Sequence, residues 1–218
     1  MALTGSTPTH PARYSRAVLT VLGPLINKYG LHVHDPFAGT GVRLAKVVDG
    51  MMLTYSGTDI EEWAGRDPRV RLGNSRYAST YPPKPFIVVT SPVYFENRIS
   101  TDYVEGPTPS TKLAGRHAYG ISLGKALHEE NMARFCRTTR GSDHDFLALA
   151  CMKWWPNRAL VNVDEPLTDR WMRLGWEAGY ITTQIIPTKT RRLKGGLAGV
   201  KKRAPNEVVL VMRRRHGV

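Results

Sequence analysis

The stretch that most constrains this chain is Leu31-His32-Val33-His34, followed by Asp35-Pro36-Phe37-Ala38-Gly39-Thr40-Gly41 and then by residues 42–48. The first four residues alternate as a short strand does, and residues 42–48 read as a helix. Between them Gly39 and Gly41 allow the backbone to turn tightly and to approach a ligand with no side chain in the way. A plain strand-to-helix turn needs one glycine, but it does not need Asp-Pro-Phe ahead of two. The turn lacks the Lys-Ser/Thr pair of a phosphate-binding loop, which argues against a nucleoside triphosphate, and it lacks the full G-x-G-x-x-G spacing. A strand that feeds a helix in this way opens a β-α-β unit. Such units build parallel sheets whose ligands sit beyond the carboxyl ends of the strands.

The rest of the chain repeats the alternation. Val18, Leu19, Leu22, Leu25 and Ile26 stand at helical spacing within residues 12–28, and Gly30 supplies the stop. Further strands are expected at 51–56, 70–74, 86–90, 159–163, 180–186 and 207–212. Helices are expected around 61–64 and at 122–139, 143–153 and 168–178, the last closed by Gly179. The expected fold is α/β: a doubly wound, mostly parallel seven-stranded sheet with one antiparallel strand near the C-terminus. Residues 1–218 read as one domain with an irregular insertion at 95–121 and a basic loop at 188–204.

Hydrophobic residues make up 41% of the 218, enough to bury a sizeable core. Cys136 and Cys151 are too few for a disulfide framework or a zinc site, so no metal is expected. No run is apolar enough to span a bilayer, and residues 1–8 lack the layout of a secretion signal. The expectation is a cytoplasmic protein without a membrane partner. Its formal charge is +13, and residues 189–215 hold ten basic side chains against Glu207 alone. Lys189, Arg191, Arg192, Lys194, Lys201, Lys202 and Arg203 are interleaved with Gly195, Gly196 and Gly199. This pattern suits a segment that follows a phosphate backbone, although a solvated basic tail has the same composition.

Two further features lie at strand ends. Asp59 closes the second strand, where an acid in doubly wound folds accepts hydrogen bonds from a ribose diol; the plainer role is a helix N-cap. Thr90-Ser91-Pro92-Val93-Tyr94 follows the strand at 86–90. The glycine turn, Asp59 and Ser91-Pro92-x-Tyr94, in that order, resemble the S-adenosylmethionine-dependent amino-methyltransferases of DNA. The resemblance runs through most of the chain. Pro11 and Tyr14, in His10-Pro11-Ala12-Arg13-Tyr14, stand where the family has a segment near the methionine end of the cofactor. Asn74, after Leu72-Gly73, stands where the family places a polar residue against the adenine, and Asn206-Glu207-Val208-Val209-Leu210-Val211 resembles its closing strand.

By that resemblance Pro11, Tyr14, Asp35, Pro36, Phe37, Gly39, Thr40, Gly41, Asp59, Ile60 and Asn74 form the cofactor site, and Ser91, Pro92 and Tyr94 are catalytic. An exocyclic amino group is a poor nucleophile because its lone pair is delocalised into the ring. Hydrogen bonds from it to the Ser91 hydroxyl and the Pro92 carbonyl would free the lone pair, with Tyr94 stacked on a flipped base. The implied partner is DNA, with cytosine N4 favoured over adenine N6, in a phage or a restriction–modification setting. Val93 replaces the second proline of the family motif. That departure favours a catalytically inactive nucleic-acid-binding module as one alternative. An RNA or protein-glutamine methyltransferase is the other, since the same device serves planar amino groups generally.

Overall fold

The computed structural model of the chain describes residues 14–83, 85–91, 147–152, 167–188 and 207–215. Its strands are β1 (His32–Asp35), β2 (Tyr55–Asp59), β3 (Val70–Leu72), β4 (Phe86–Thr90), β5 (Leu147–Met152), β6 (Tyr180–Pro187) and β7 (Glu207–Arg214). Its helices are α1 (Arg16–Tyr29), α2 (Val42–Asp49) and α3 (Leu167–Glu177).

Local chemistry sets the boundaries of α1. The Ser15 hydroxyl accepts a hydrogen bond from the Val18 amide at 3.2 Å, satisfying one of the donors a helix start leaves open. At the other end Gly30 takes a left-handed φ of 58°, and its amide donates to the Ile26 carbonyl.

The strands pair in the order β3-β2-β1-β4-β5-β7-β6. Pairing is parallel from β3 through β5 and antiparallel where β7 meets β5 and β6. One face of the sheet carries α1 and α2, with Val18, Leu22, Ile26, Leu44 and Val48 packed on Val33, Ile87, Val89, Val209 and Val211. The helix α3 packs against β5 and β6 through the buried Trp171 and Leu174. On β1 the buried His34 ring lies against Tyr81 and Phe86, and its Nδ1 is 2.9 Å from the Ser56 hydroxyl. Burial, and then the neighbouring His32, push its pKa down to about 3, so it is a neutral core residue near neutrality.

Three expectations change. Residues 147–152, expected within a helix, form the strand β5 between β4 and β7. Leu-Ala-Leu-Ala-Cys-Met is apolar throughout, and such a run fits a buried helix or a doubly covered strand equally well until its neighbours are known. The second strand starts at Tyr55 rather than at 51, and it runs through Gly57 to Asp59. No helix forms around 61–64; the chain turns there under the Asp59 carboxylate. The helix expected at 122–139 and the strand expected at 159–163 lie outside the described residues. Among the described residues no helix is long and apolar enough to cross a membrane.

This topology positions the site. The parallel strands β1, β2 and β4 end together at Asp35, Asp59 and Thr90, and the glycine turn and Ser91 follow directly. Because β6 runs parallel to β5, the ends of the basic segment, Thr188 and Glu207, emerge at this same carboxyl edge: Pro187 pairs with Val208, and Glu207 with Met152.

Candidate functional site

The glycine turn is built on Asp35. The residue is fully buried, and its Oδ1 accepts the Phe37 amide at 3.1 Å across Pro36, which has no amide hydrogen to offer. The same oxygen accepts the Thr90 hydroxyl at 2.6 Å, and Oδ2 accepts the Tyr14 hydroxyl at 2.9 Å. Burial pushes the Asp35 carboxyl up to about 7, and the hydrogen bonds from Thr90, Phe37 and Tyr14 offset only part of that shift. Tyr14 is fixed from the other side, where Arg43 of α2 donates to its carbonyl at 2.7 Å.

Beyond Phe37 the turn takes left-handed φ values at Gly39 (55°) and Gly41 (68°), which side-chain-bearing residues adopt at a cost. A Cβ at Gly41 would lie 2.5 Å from a Val70 methyl and 2.7 Å from the Tyr55 hydroxyl. The turn is held down by the Ala38 amide on the Thr58 carbonyl at 3.0 Å, the Gly41 amide on the Ala38 carbonyl at 2.8 Å and the Asp67 amide on the Thr40 carbonyl at 2.8 Å. Asp67 in turn shares the Arg69 guanidinium with Asp49 at the end of α2, through contacts of 2.6–2.9 Å. Arg69 holds both carboxylates below their ordinary pKa.

Asp59 reaches across from β2 to the turn. Its Oδ2 accepts the Gly39 amide at 2.8 Å, and its Oδ1 accepts the Glu61 amide at 2.9 Å and the Trp63 indole at 3.0 Å. A carboxylate offers about four acceptor directions, and the three bonds here leave one on Oδ2. Beside it Asn74 follows β3, with its Oδ1 turned to the Arg76 amide at 3.1 Å and guanidinium at 3.2 Å.

The structure therefore brings together Tyr14, Asp35, Pro36, Phe37, Gly39, Thr40, Gly41, Asp59, Ile60 and Asn74 around the ends of β1, β2 and β3, with Ser91 one residue past the end of β4. Pro11, Pro92, Tyr94 and the basic residues Lys189, Arg191, Arg192, Lys194, Lys201, Lys202 and Arg203 lie outside the described residues. Arg213, Arg214 and Arg215 belonged to the same basic run in the sequence but sit at the opposite edge. There Arg213 donates to the Tyr29 hydroxyl at 2.8 Å, and the Arg215 guanidinium lies 3.8 Å from the Trp176 ring centroid. The reversal of β7 carries them away from the turn.

Sequence reasoning missed two participants, Trp63 and the Thr90 side chain. Trp63 stands four residues after Asp59, a spacing a turn can close, but read as part of a helix it pointed elsewhere. Thr90 reads as the end of an apolar strand, and nothing local predicts a carboxylate beside it.

The strand order, with β7 inserted antiparallel between β5 and β6, defines a Rossmann-like methyltransferase fold. The chain resembles solved structures of that fold at low identity. Magnesium protoporphyrin IX methyltransferase from Synechocystis PCC 6803, solved with bound SAH, is 11% identical at a TM-score of 0.52, over 94% of this chain and 90% of that one. A candidate RNA methyltransferase from Pyrococcus horikoshii is 12% identical at a TM-score of 0.50, over 97% and 94%. TrmN from Thermus thermophilus is 13% identical at 0.50 over 90% of this chain, which spans 48% of TrmN. No protein-family profile matches the chain, and no curated protein matches it in sequence.

The residues at the carboxyl edge fit S-adenosylmethionine. The turn exposes no side chain at Gly39 or Gly41, and the remaining acceptor on Asp59 Oδ2 suits a ribose hydroxyl. Among the described residues no group of three metal-ligating side chains occurs.

Proposed function

We propose that this chain is an S-adenosylmethionine-dependent methyltransferase acting on an exocyclic amino group of a nucleic-acid base. The observation that carries the reading is the junction of Asp35 and Thr90. It sets the start of the glycine turn against the residue that precedes Ser91, so the two motifs open from adjacent parallel strands. Gly39, Thr40 and Gly41 are the backbone cradle of the cofactor, Asp59 anchors the cradle and receives the ribose, and Asn74 lies toward the base of the cofactor. Pro11, Tyr14, Pro36, Phe37 and Ile60 complete the surroundings.

Held by Gly39, Thr40, Gly41 and Asp59, S-adenosylmethionine would supply an electrophilic sulfonium-bound methyl carbon to the amino lone pair, with a neutral thioether as the leaving group. The chain's part is to orient and polarise. The Ser91 hydroxyl and the Pro92 carbonyl accept hydrogen bonds from the amino group, Tyr94 stacks on the base, and the amine proton passes to water after transfer. Lys189, Arg191, Arg192, Lys194, Lys201, Lys202 and Arg203 neutralise phosphates beside the site. That role is supported by the emergence of both ends of their segment at the carboxyl edge.

DNA is the substrate proposed first, with cytosine N4 ahead of adenine N6, because Ser91-Pro92-x-Tyr94 resembles the motif of those enzymes. RNA is the second reading, favoured by the likeness to the Pyrococcus horikoshii protein. Calorimetric titration with S-adenosylmethionine tests the cofactor site: wild type binds, and Gly39→Trp does not. Ser91→Ala binds the cofactor as wild type does and transfers methyl groups at least about 100-fold more slowly. Wild-type turnover in Ser91→Ala would remove that residue from the mechanism.

A further inference from the structure

Thr90 is the last residue of β4, is fully buried, and follows the apolar run Phe86-Ile87-Val88-Val89. A valine would continue that run at no polar cost. The Asp35 carboxylate is also already supplied with donors, by the Phe37 amide on Oδ1 and the Tyr14 hydroxyl on Oδ2. The Thr90 hydroxyl is the third donor and offsets a further part of the cost of burying that carboxyl. Its distinctive effect is geometric. At 2.6 Å it ties together two residues 55 positions apart, one continuing directly into the cofactor turn and the other directly into Ser91. The ladder between β1 and β4 ends at the pair His34 and Val88, so beyond it this side-chain bond holds the two strand ends at a fixed offset.

We infer that Thr90 is a positioning residue for methyl transfer, setting Ser91 in register with the cofactor turn that begins at Asp35. The inference rests on the methyltransferase reading above. Methyl transfer demands alignment of donor and acceptor, and a misplacement of about 1 Å costs on the order of 100-fold in rate. Cofactor affinity depends instead on Gly39, Gly41 and Asp59; Thr90 touches the turn only at its first residue, Asp35, whose carboxyl keeps the Phe37 and Tyr14 donors without it.

The experiment compares wild type, Thr90→Val and Thr90→Ser in three readouts: S-adenosylmethionine affinity by calorimetry, single-turnover methyl transfer to nucleic acid, and amide hydrogen exchange across residues 35–41. Thr90→Val is expected to keep cofactor affinity within about threefold and to lose about 10- to 100-fold in single-turnover rate. Thr90→Ser, which keeps the hydroxyl, is expected to recover most of that loss. The Phe37 amide is expected to exchange faster in Thr90→Val and at the wild-type rate in Thr90→Ser. Wild-type rate and wild-type exchange in Thr90→Val would overturn the inference. So would equal loss of cofactor affinity and rate, which would make Thr90 a general support of the fold. If wild type itself transfers no methyl group, the methyltransferase reading fails, and the exchange comparison alone decides the tie: unchanged exchange in Thr90→Val refutes it. Should Thr90→Val not fold, Thr90→Cys, a weaker donor of similar size, carries the same comparison with Thr90→Ser.

Discussion

Asp35 stands at the meeting point of three parts of the chain, and its titration is a direct consequence of that burial. With its folded-state pKa raised to about 7 from an ordinary value near 3.8, the native state holds a proton that the unfolded chain releases. The stability it contributes is complete below about pH 4 and is lost as the pH rises through about 7. Asp49 and Asp67 act in the opposite sense: their lowered values contribute stability above their ordinary range, lost as the pH falls below it. Those carboxylates titrate below about pH 5, but His34 and His32, lowered by burial, contribute stability that grows as the pH rises toward 6.5 and so oppose Asp35; the difference between wild type and Asp35→Asn isolates Asp35. By urea denaturation between about pH 5 and 8, the stability of wild type relative to Asp35→Asn, which is neutral throughout, is expected to fall as the pH rises; parallel profiles would contradict the assignment. At Gly41 the φ of 68° and the 2.5 Å approach to Val70 act together. Gly41→Ala is expected to cost about 1–3 kcal/mol by denaturation and to weaken cofactor binding. The turn itself was legible, because Asp-Pro-Phe-Ala-Gly-Thr-Gly is a local pattern; the burial of Asp35 and the approach of Val70 to Gly41 were not. The Thr90 bond was not, since it depends on β1 and β4 becoming neighbours.

At the scale of elements, the end of β2 is where the sequence misled and where the structure is most informative. The strand expected at 51–56 forms later, and Gly57 lies inside β2, where a Cβ would come within 2.7 Å of Ala38; its absence lets the strand pass beneath the glycine turn. Asp59 then spends three hydrogen bonds on the turn and on the chain that follows; the helix cap weighed as its plainer role has no helix to cap. Asp59→Ala would leave three donors without their carboxylate and is expected to cost about 2–4 kcal/mol, with cofactor affinity falling in parallel. Calorimetry with thermal denaturation checks both; an Asp59→Ala protein as stable as wild type would show that the clasp contributes nothing. The misreading of β5 has a different origin. Leu-Ala-Leu-Ala-Cys-Met carries helix formers, and only its place between β4 and β7 makes it a strand.

For the whole molecule, the reversal of β7 sorts the positive charge. One contiguous basic run in the sequence is divided: Thr188 and Glu207, which flank residues 189–206, lie at the carboxyl edge, and Arg213, Arg214 and Arg215 at the amino edge. Charge counting cannot separate them, because the separation depends on strand direction. Nucleic-acid binding is expected to weaken steeply with salt. Replacing Lys201, Lys202 and Arg203 by Ala should reduce the salt slope by about 2 to 3 if each neutralises one phosphate. Replacing Arg213 and Arg215 should leave it unchanged; the reverse result would place the polyanion on the amino edge. That β1 to β4 would be strands of a mostly parallel sheet was foreseeable from the alternation of strands and helices; that β5 joins them was not.

The most direct test of the account is nucleoside mass spectrometry after DNA and RNA are incubated separately with the protein and isotope-labelled S-adenosylmethionine. The account predicts a labelled methyl group on the exocyclic nitrogen of cytosine or adenine in one of the two, absent with Gly39→Trp and strongly reduced with Ser91→Ala. Label on a ring carbon or a ribose, or no label in either nucleic acid from a protein that binds the cofactor, would contradict it.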